Sequence, residues 1–171
     1  MAEAASRDWR KIALVTVPLI VLLGSASGWL SNSGYGNDWF DGLVKPAFMP
    51  PSIAFPVAWT TLYTLMGLAM AMILAEPPSR LRKGALTLFF LQLALNYAWS
   101  PIFFGAHDIK LGTTVIFAML VLAVATAVLF RRIRPIAGWL LLPYLLWLCF
   151  AGTLNHSIDK LNPGAGTSLL G

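Results

Sequence analysis

The sequence is short of charge, and that shortage excludes most of what a chain of 171 residues could otherwise be. Asp, Glu, Lys and Arg make up 11% of it and hydrophobic residues 58%, whereas a soluble domain carries roughly 25% charged residues. The composition is that of an integral membrane protein. Several spans of about 20 residues each leave no length for a separate water-soluble domain. Cys149 is the one cysteine and lies inside an apolar run, so neither a disulfide framework nor a cysteine-built metal site can form; it reads as a small core or lipid-facing residue. No Ser-His-Asp arrangement, zinc-ligand spacing or phosphate-binding glycine loop occurs, so hydrolytic and phosphoryl-transfer chemistry lack their parts. Of the two histidines, His156 lies near a span end and close to Asp159, where it reads as a solvated interfacial residue. No metal and no cofactor is implied. The net charge of +5 does not indicate a nucleic-acid partner, because the basic residues form short clusters between apolar runs. There they act as topology signals and as contacts for anionic lipid headgroups.

What is abundant is apolar length. Five runs, about 11–31, 53–75, 84–105, 111–130 and 136–158, are each long enough to span a membrane. Lipid forces them to be helical, because backbone groups unpaired in hydrocarbon cost several kcal/mol each. The fold class is therefore all-α, a single transmembrane domain of five helices over residues 1–171, with a lid loop at 32–52 between the first two. Arg7, Arg10 and Lys11 followed by an apolar stretch and small residues also resemble a secretory signal, but the run continues through Gly28, Trp29 and Leu30 to spanning length. Past the boundary residue Lys11, no Asp, Glu, Lys or Arg lies inside any span, which counts against ion- or proton-coupled transport. Nine basic residues (Arg7, Arg10, Lys11, Arg80, Arg82, Lys83, Arg131, Arg132, Arg134) fall on one side of the membrane and three (Lys45, Lys110, Lys160) on the other. In a bacterial inner membrane this predicts a cytoplasmic N-terminus and a lid that faces outward.

Residues 39–67 organise the chain, because a stiff aromatic loop there runs directly into a spanning helix. Pro46, Pro50 and Pro51 fix φ and push the preceding residues into extended backbone, so helix is not expected before about Ser52. Trp39, Phe40, Phe48 and Phe55 give this cover an aromatic underside, and Trp59 and Tyr63 follow one turn apart on one face of the helix below. A lidded pocket and a plain interfacial aromatic belt both fit this segment.

In the third span, Gln92, Asn96, Trp99 and Phe103 share a face. Intramembrane amides face a cavity or bond across to neighbouring helices. Pro101 is expected to loosen the outer turn, with Ser100 helping to satisfy the freed carbonyls. The fifth span repeats the stripe with Tyr144, Trp147, Ala151 and Asn155, where Ala151 leaves a gap for a flat ligand. In the first span Gly24 and Gly28 allow close helix approach, and Ser25 and Ser27 can return hydroxyls to the preceding turn. The fourth span, aliphatic with few polar atoms, reads as a lipid-facing or packing helix.

Four motifs in fixed order then carry a resemblance: W-F-D-G-L-x-K-P-A-F-M-P-P from residue 39, F-P-V-A-W-T-x-L-Y-x-x-M-G from 55, L-x-L-N-Y-A-W-S-P-I-F-F-G from 93 and P-Y-L-L-W-L-x-F-A-x-x-L-N from 143. Together they resemble the translocator protein family, also called tryptophan-rich sensory proteins or peripheral-type benzodiazepine receptors, across nearly all of residues 35–162. The resemblance implies a five-helix bundle, often a homodimer, that binds porphyrins such as protoporphyrin IX, sterols and synthetic ligands under the first loop. It implies a pocket of Phe40, Pro50, Trp59, Tyr63, Asn96, Trp99, Trp147, Phe150 and Ala151. In some bacterial members, tryptophans matching Trp59 and Trp147 are linked to light-dependent porphyrin breakdown. The chain departs from the family at Phe48, where the lid usually has Trp, and in lacking the sterol motif of animal members, since the first basic residue after Tyr144 is Lys160. Lys83, Phe89 and Leu91 fit the reversed sterol pattern, which is loose enough to occur by chance. The short tail and the lost sterol motif point to a bacterial membrane, inner or outer. Three functions follow: a tetrapyrrole receptor or carrier, a porphyrin-degrading activity, or a sensor or scaffold acting through a partner protein, with Ala94 and Ala98 as small residues for helix association.

Overall fold

The computed structural model of the protein describes residues 8–166, so Arg7, counted above among the basic residues, lies outside the described part. Five stretches are long and apolar enough to cross a membrane: Trp9–Leu30, Ala54–Ala75, Arg80–Gly105, Ile109–Ile133 and Pro135–Leu161. Among the described residues there is no strand. The protein is a multi-pass integral membrane protein of helical-bundle fold. The elements are α1 (Trp9–Leu30), α2 (Asp38–Gly42), α3 (Ala54–Ala75), α4 (Arg80–Ser100) continued by a π turn (Pro101–Gly105), α5 (Ile109–Ile133), α6 (Pro135–Trp139) and α7 (Leu142–Leu161).

Three spans begin earlier than their apolar runs because polar residues cap them. Asp8 accepts from the Arg10 amide at 3.0 Å, Ser79 from Arg82 at 3.1 Å and Asp108 from Leu111 at 2.8 Å. Each cap satisfies an N–H that the first helical turn leaves without a partner. α1 lies against α3 and also meets α4, while α5 packs on α4, α6 and α7. The seam between α1 and α3 depends on glycine. A Cβ at Gly24 would run into the Tyr63 ring, and one at Gly67 would stand 2.7 Å from the Val17 Cα. Thr16 donates to the Gly67 carbonyl at 2.9 Å across the same seam.

Three expectations are corrected. The lid contains helix before Ser52, since α2 occupies Asp38–Gly42. Proline constrains its own φ and the residue before it, which leaves 38–42 free to coil once Asn37 caps the turn by accepting from the Phe40 amide at 3.0 Å. The last span is broken into α6 and α7, because Pro143 has no N–H to offer the Trp139 carbonyl and the chain turns at Leu140 and Leu141. Ser27, expected to return its hydroxyl to the preceding turn, instead donates from Oγ to the Tyr97 carbonyl of α4 at 2.6 Å. That carbonyl is the one Pro101 cannot serve, so a serine from α1 fills the role expected of Ser100.

Pro101 also changes the helix type. The Ala106 amide bonds the Pro101 carbonyl at 2.8 Å, closing a π turn that brings Phe103 and Phe104, both buried, beneath the lid.

Candidate functional site

The site lies where the lid meets the outer halves of the helices, and its position follows from how the lid is fastened. Lys45 folds back so that its Nζ donates to the carbonyls of Phe40, Asp41 and Leu43 at 2.8, 3.2 and 3.2 Å, and it stands 4.7 Å from the Phe40 ring centroid. Tyr35 donates to the Pro50 carbonyl at 3.3 Å. Asn162, just past α7, grips Val44 with both amide atoms: its Oδ1 accepts from the Val44 N–H at 2.7 Å and its Nδ2 donates to the Val44 carbonyl at 2.9 Å. Trp39 donates to the Ala165 carbonyl at 3.0 Å and stacks on His107 at 4.4 Å between centroids. The lid is thus held by the C-terminal segment and by the turn between the π turn and α5.

Beneath it is a cavity of ≈ 520 Å³. That lies within the roughly 300–1,000 Å³ of small-molecule sites. Eight of the nine residues implied by the family resemblance line it: Phe40, Trp59, Tyr63, Asn96, Trp99, Trp147, Phe150 and Ala151. Pro50 does not; its carbonyl holds Tyr35, and it acts on the site by fixing the lid backbone. Of the expected aromatic underside, Phe40 and Phe55 line the cavity, Trp39 turns away to His107, and Phe48 is half exposed with its edge toward Phe150 at 6.3 Å. Trp59 stacks on Tyr63 at 5.2 Å and meets Trp147 edge to face at 6.1 Å, so α3 and α7 bridge the cavity through rings. Trp99 stacks on Phe103 at 5.0 Å. Ring pairs of this kind contribute about 0.5–1.5 kcal/mol each beyond area burial, which stiffens the wall.

Among the described residues, no charged side chain lines the wall. Its buried amides are already engaged. Asn96 accepts from the Tyr63 hydroxyl at 2.7 Å and donates to the Tyr144 hydroxyl at 3.0 Å, and Tyr144 in turn points its proton at the Met119 sulfur at 3.9 Å. Asn96 therefore joins α3, α4 and α7, the interhelical alternative stated for the third-span amides. Asn155 donates from Nδ2 to the Ile109 carbonyl at 2.9 Å and to Thr113 at 2.6 Å. This fixes its amide orientation, because the Ile109 carbonyl can only accept. The indole nitrogens of Trp99 and Trp147 are buried and have no hydrogen-bond partner among the described residues. Gln92 shares the Asn96 face but does not line the cavity.

Several liners were not singled out from the sequence as site residues. Gly24, Ser25 and Gly28 of α1 form part of the wall, and their spacing was visible only as a packing signal. Ile116 and Met119 come from α5, the helix that reads as purely aliphatic; no local signal separates a residue facing a cavity from one facing lipid. His156 is exposed, as expected of a solvated residue, and Cys149 is exposed on the lipid side of α7.

Comparison with known proteins gives the same family as the four motifs. The profile of the TspO/MBR family matches residues 15–161. The chain is 40% identical over 150 residues to a translocator protein of Sus scrofa, covering 84% of this chain and 88% of that one. It is 39% identical over 127 residues to the protein CrtK of Rhodobacter capsulatus (74% and 79% covered), and 39% identical over 127 residues to a tryptophan-rich protein TspO of Chlorobaculum tepidum (73% and 80% covered). A matching profile that spans most of the chain, with all four motifs folded around one cavity, places this chain in the TspO/MBR family.

Proposed function

We propose that this membrane receptor of the TspO/MBR family binds a tetrapyrrole of the protoporphyrin IX type, or a related flat hydrophobic molecule, in the cavity under the lid. The observation that carries the reading is an aromatic-walled cavity of ≈ 520 Å³, with no charged side chain among its described lining residues, whose roof is tied to the C-terminal segment at Trp39 and Val44. A flat conjugated ring system gains stacking and edge contacts from Trp59, Trp99, Trp147 and Phe150 together, while Ala151 leaves the space between Trp147 and Asn155 open. The ligand's orientation does not come from Asn96, whose amide is bonded to two tyrosines; the wall's other polar side chains are hydroxyls, Asn32, Asn155 and indoles, and the indole N–H groups of Trp99 and Trp147 are buried with no partner among the described residues. The test is titration of protoporphyrin IX into the detergent-solubilised protein, followed by tryptophan quenching. Trp147→Ala is expected to weaken binding at least tenfold; an unchanged affinity would overturn the site assignment. The proposal includes a bacterial membrane with the lid facing outward and a homodimer, the latter checked by the mass of the detergent-solubilised particle.

A second reading is favoured by the edge contact of Trp59 and Trp147 on the same wall. There an indole transfers one electron to a photoexcited macrocycle, which passes it to dioxygen as superoxide; the indole radical cation takes an electron back from the macrocycle, and superoxide adds to the oxidised ring, so that the ligand is consumed with one dioxygen and the indole is restored. Illumination of the complex in air, with loss of the Soret band as readout, tests it. Decay no faster than that of free porphyrin ends this reading. A collapsed bundle without a cavity under the lid would have favoured a sensor or scaffold acting through a partner protein, for which the pocket is incidental; the cavity is present.

A further inference from the structure

On the opposite side of the bundle, the face that carries eight of the eleven described basic residues, a second and shallower groove of ≈ 310 Å³ is lined by Pro78, Ser79, Arg82, Lys83, Leu86, Thr87 and Phe90. Apart from Pro78 these residues lie at spacings of three and four along α4, so they form one stripe up the helix. The stripe changes character along its length: two cations at the membrane boundary, then Leu86, then a half-exposed Phe90 one turn deeper.

Three observations bear on what fills it. No acidic side chain lines the groove, and the acid at the end of α3, Glu76, is already paired with Arg134 at 3.3 Å. The Arg82 guanidinium is anchored, since its Nη2 donates to the Leu74 carbonyl at 3.1 Å, while its Nε has no hydrogen-bond partner among the described residues. The hydroxyls offer little competition for an anion: Thr87 donates to the Lys83 carbonyl at 3.0 Å, and Ser79 accepts from the Arg82 amide. The groove therefore presents cationic donors at headgroup depth and an apolar slot directly below them.

We propose that this groove is a binding site for one anionic phospholipid, with its phosphate against Lys83 and the Arg82 side chain and the first part of an acyl chain along Leu86 and Phe90. Charge complementarity selects an anionic headgroup over a zwitterionic one, because a net negative lipid gains from both cations without bringing a positive group to Arg82 and Lys83. The apolar slot selects a lipid over free phosphate. A sterol lacks the anion and leaves both cations without a partner.

Native mass spectrometry of the full chain, released from micelles doped with equal phosphatidylglycerol and phosphatidylcholine, tests the site. The unaltered protein is expected to retain phosphatidylglycerol preferentially. Lys83→Gln is expected to lower that retention about fivefold, the effect of one basic residue at an anionic surface, whereas Arg132→Gln, equal in charge and outside the groove, leaves it unchanged. Phe90→Ala is expected to lower it as well, through the acyl contact. Equal losses for Lys83→Gln and Arg132→Gln would overturn the proposal in favour of diffuse surface attraction. Displacement of the lipid by millimolar inorganic phosphate, or retention of added cholesterol with equal preference, would also overturn it. None of these readouts depends on a ligand in the lidded cavity.

Discussion

Replacing Asn96 with Leu removes a side chain that joins α3, α4 and α7 at the base of the lidded cavity. The substitution deletes the bond from Tyr63 at 2.7 Å and the bond to Tyr144 at 3.0 Å, while nearly conserving volume. Interhelical hydrogen bonds in membranes average about 0.6 kcal/mol and reach about 1.7, so the pair contributes about 1–3 kcal/mol. To this is added the desolvation cost of a donor left without an acceptor, about 1–3 kcal/mol. It falls on Tyr63, which is buried; the Tyr144 hydroxyl keeps the Met119 sulfur. The expected loss is about 2–6 kcal/mol. Tyr63→Phe removes the stranded hydroxyl, so the double variant should recover about 1 kcal/mol or more relative to the sum of the single changes. Reversible unfolding in mixed mild-detergent and dodecyl sulfate micelles measures all four corners of the cycle. A coupling near zero, or a loss below about 0.5 kcal/mol for Asn96→Leu, would refute the assignment of Asn96 as an interhelical bridge.

Three further outcomes are expected. Gly24→Ala drives a methyl group into the Tyr63 ring, which hydrogen bonding to Asn96 prevents from swinging aside, and should destabilise the bundle by about 1–3 kcal/mol in the same unfolding assay. Ala151→Leu fills part of the cavity beside Trp147; protoporphyrin affinity should fall at least tenfold by fluorescence titration, with the thermal midpoint nearly unchanged because the added carbons occupy empty space. Asn162→Ala releases both bonds to Val44, and hydrogen exchange at the Val44 amide should accelerate about fivefold or more, the consequence of losing about 1 kcal/mol of local protection.

The legibility of this chain divides by range. Trp59 and Tyr63, one turn apart, were expected on one face and are stacked there, because helical periodicity alone puts them in register. Asn96 and Trp99 were expected to share a face and both line the cavity, yet the partner of the Asn96 amide was not legible: a spacing rule gives the direction of a side chain, not what stands opposite. Pro101 signalled a disturbed outer turn, but its form, a π turn with the Tyr97 carbonyl satisfied by Ser27 from α1, depends on a residue 70 positions away. Pro50 lies in the lid but does not line the cavity, since a proline fixes backbone direction without fixing which side chain points inward.

Composition by itself determined that this chain crosses a membrane five times as helices, because in hydrocarbon a backbone segment of that length has no other way to pair its polar groups. It also marked the loop after the first span as proline-rich and aromatic, a pattern that fits a lid and an interfacial belt alike. Tertiary structure alone decided that the cover is locked to Asn162 and Ala165, that aliphatic α5 contributes Ile116 and Met119 to the wall, and that Asn96 bonds two tyrosines. These depend on the rotation of each helix about its axis, which small residues such as Gly24 and Gly67 set by how closely they let neighbours approach.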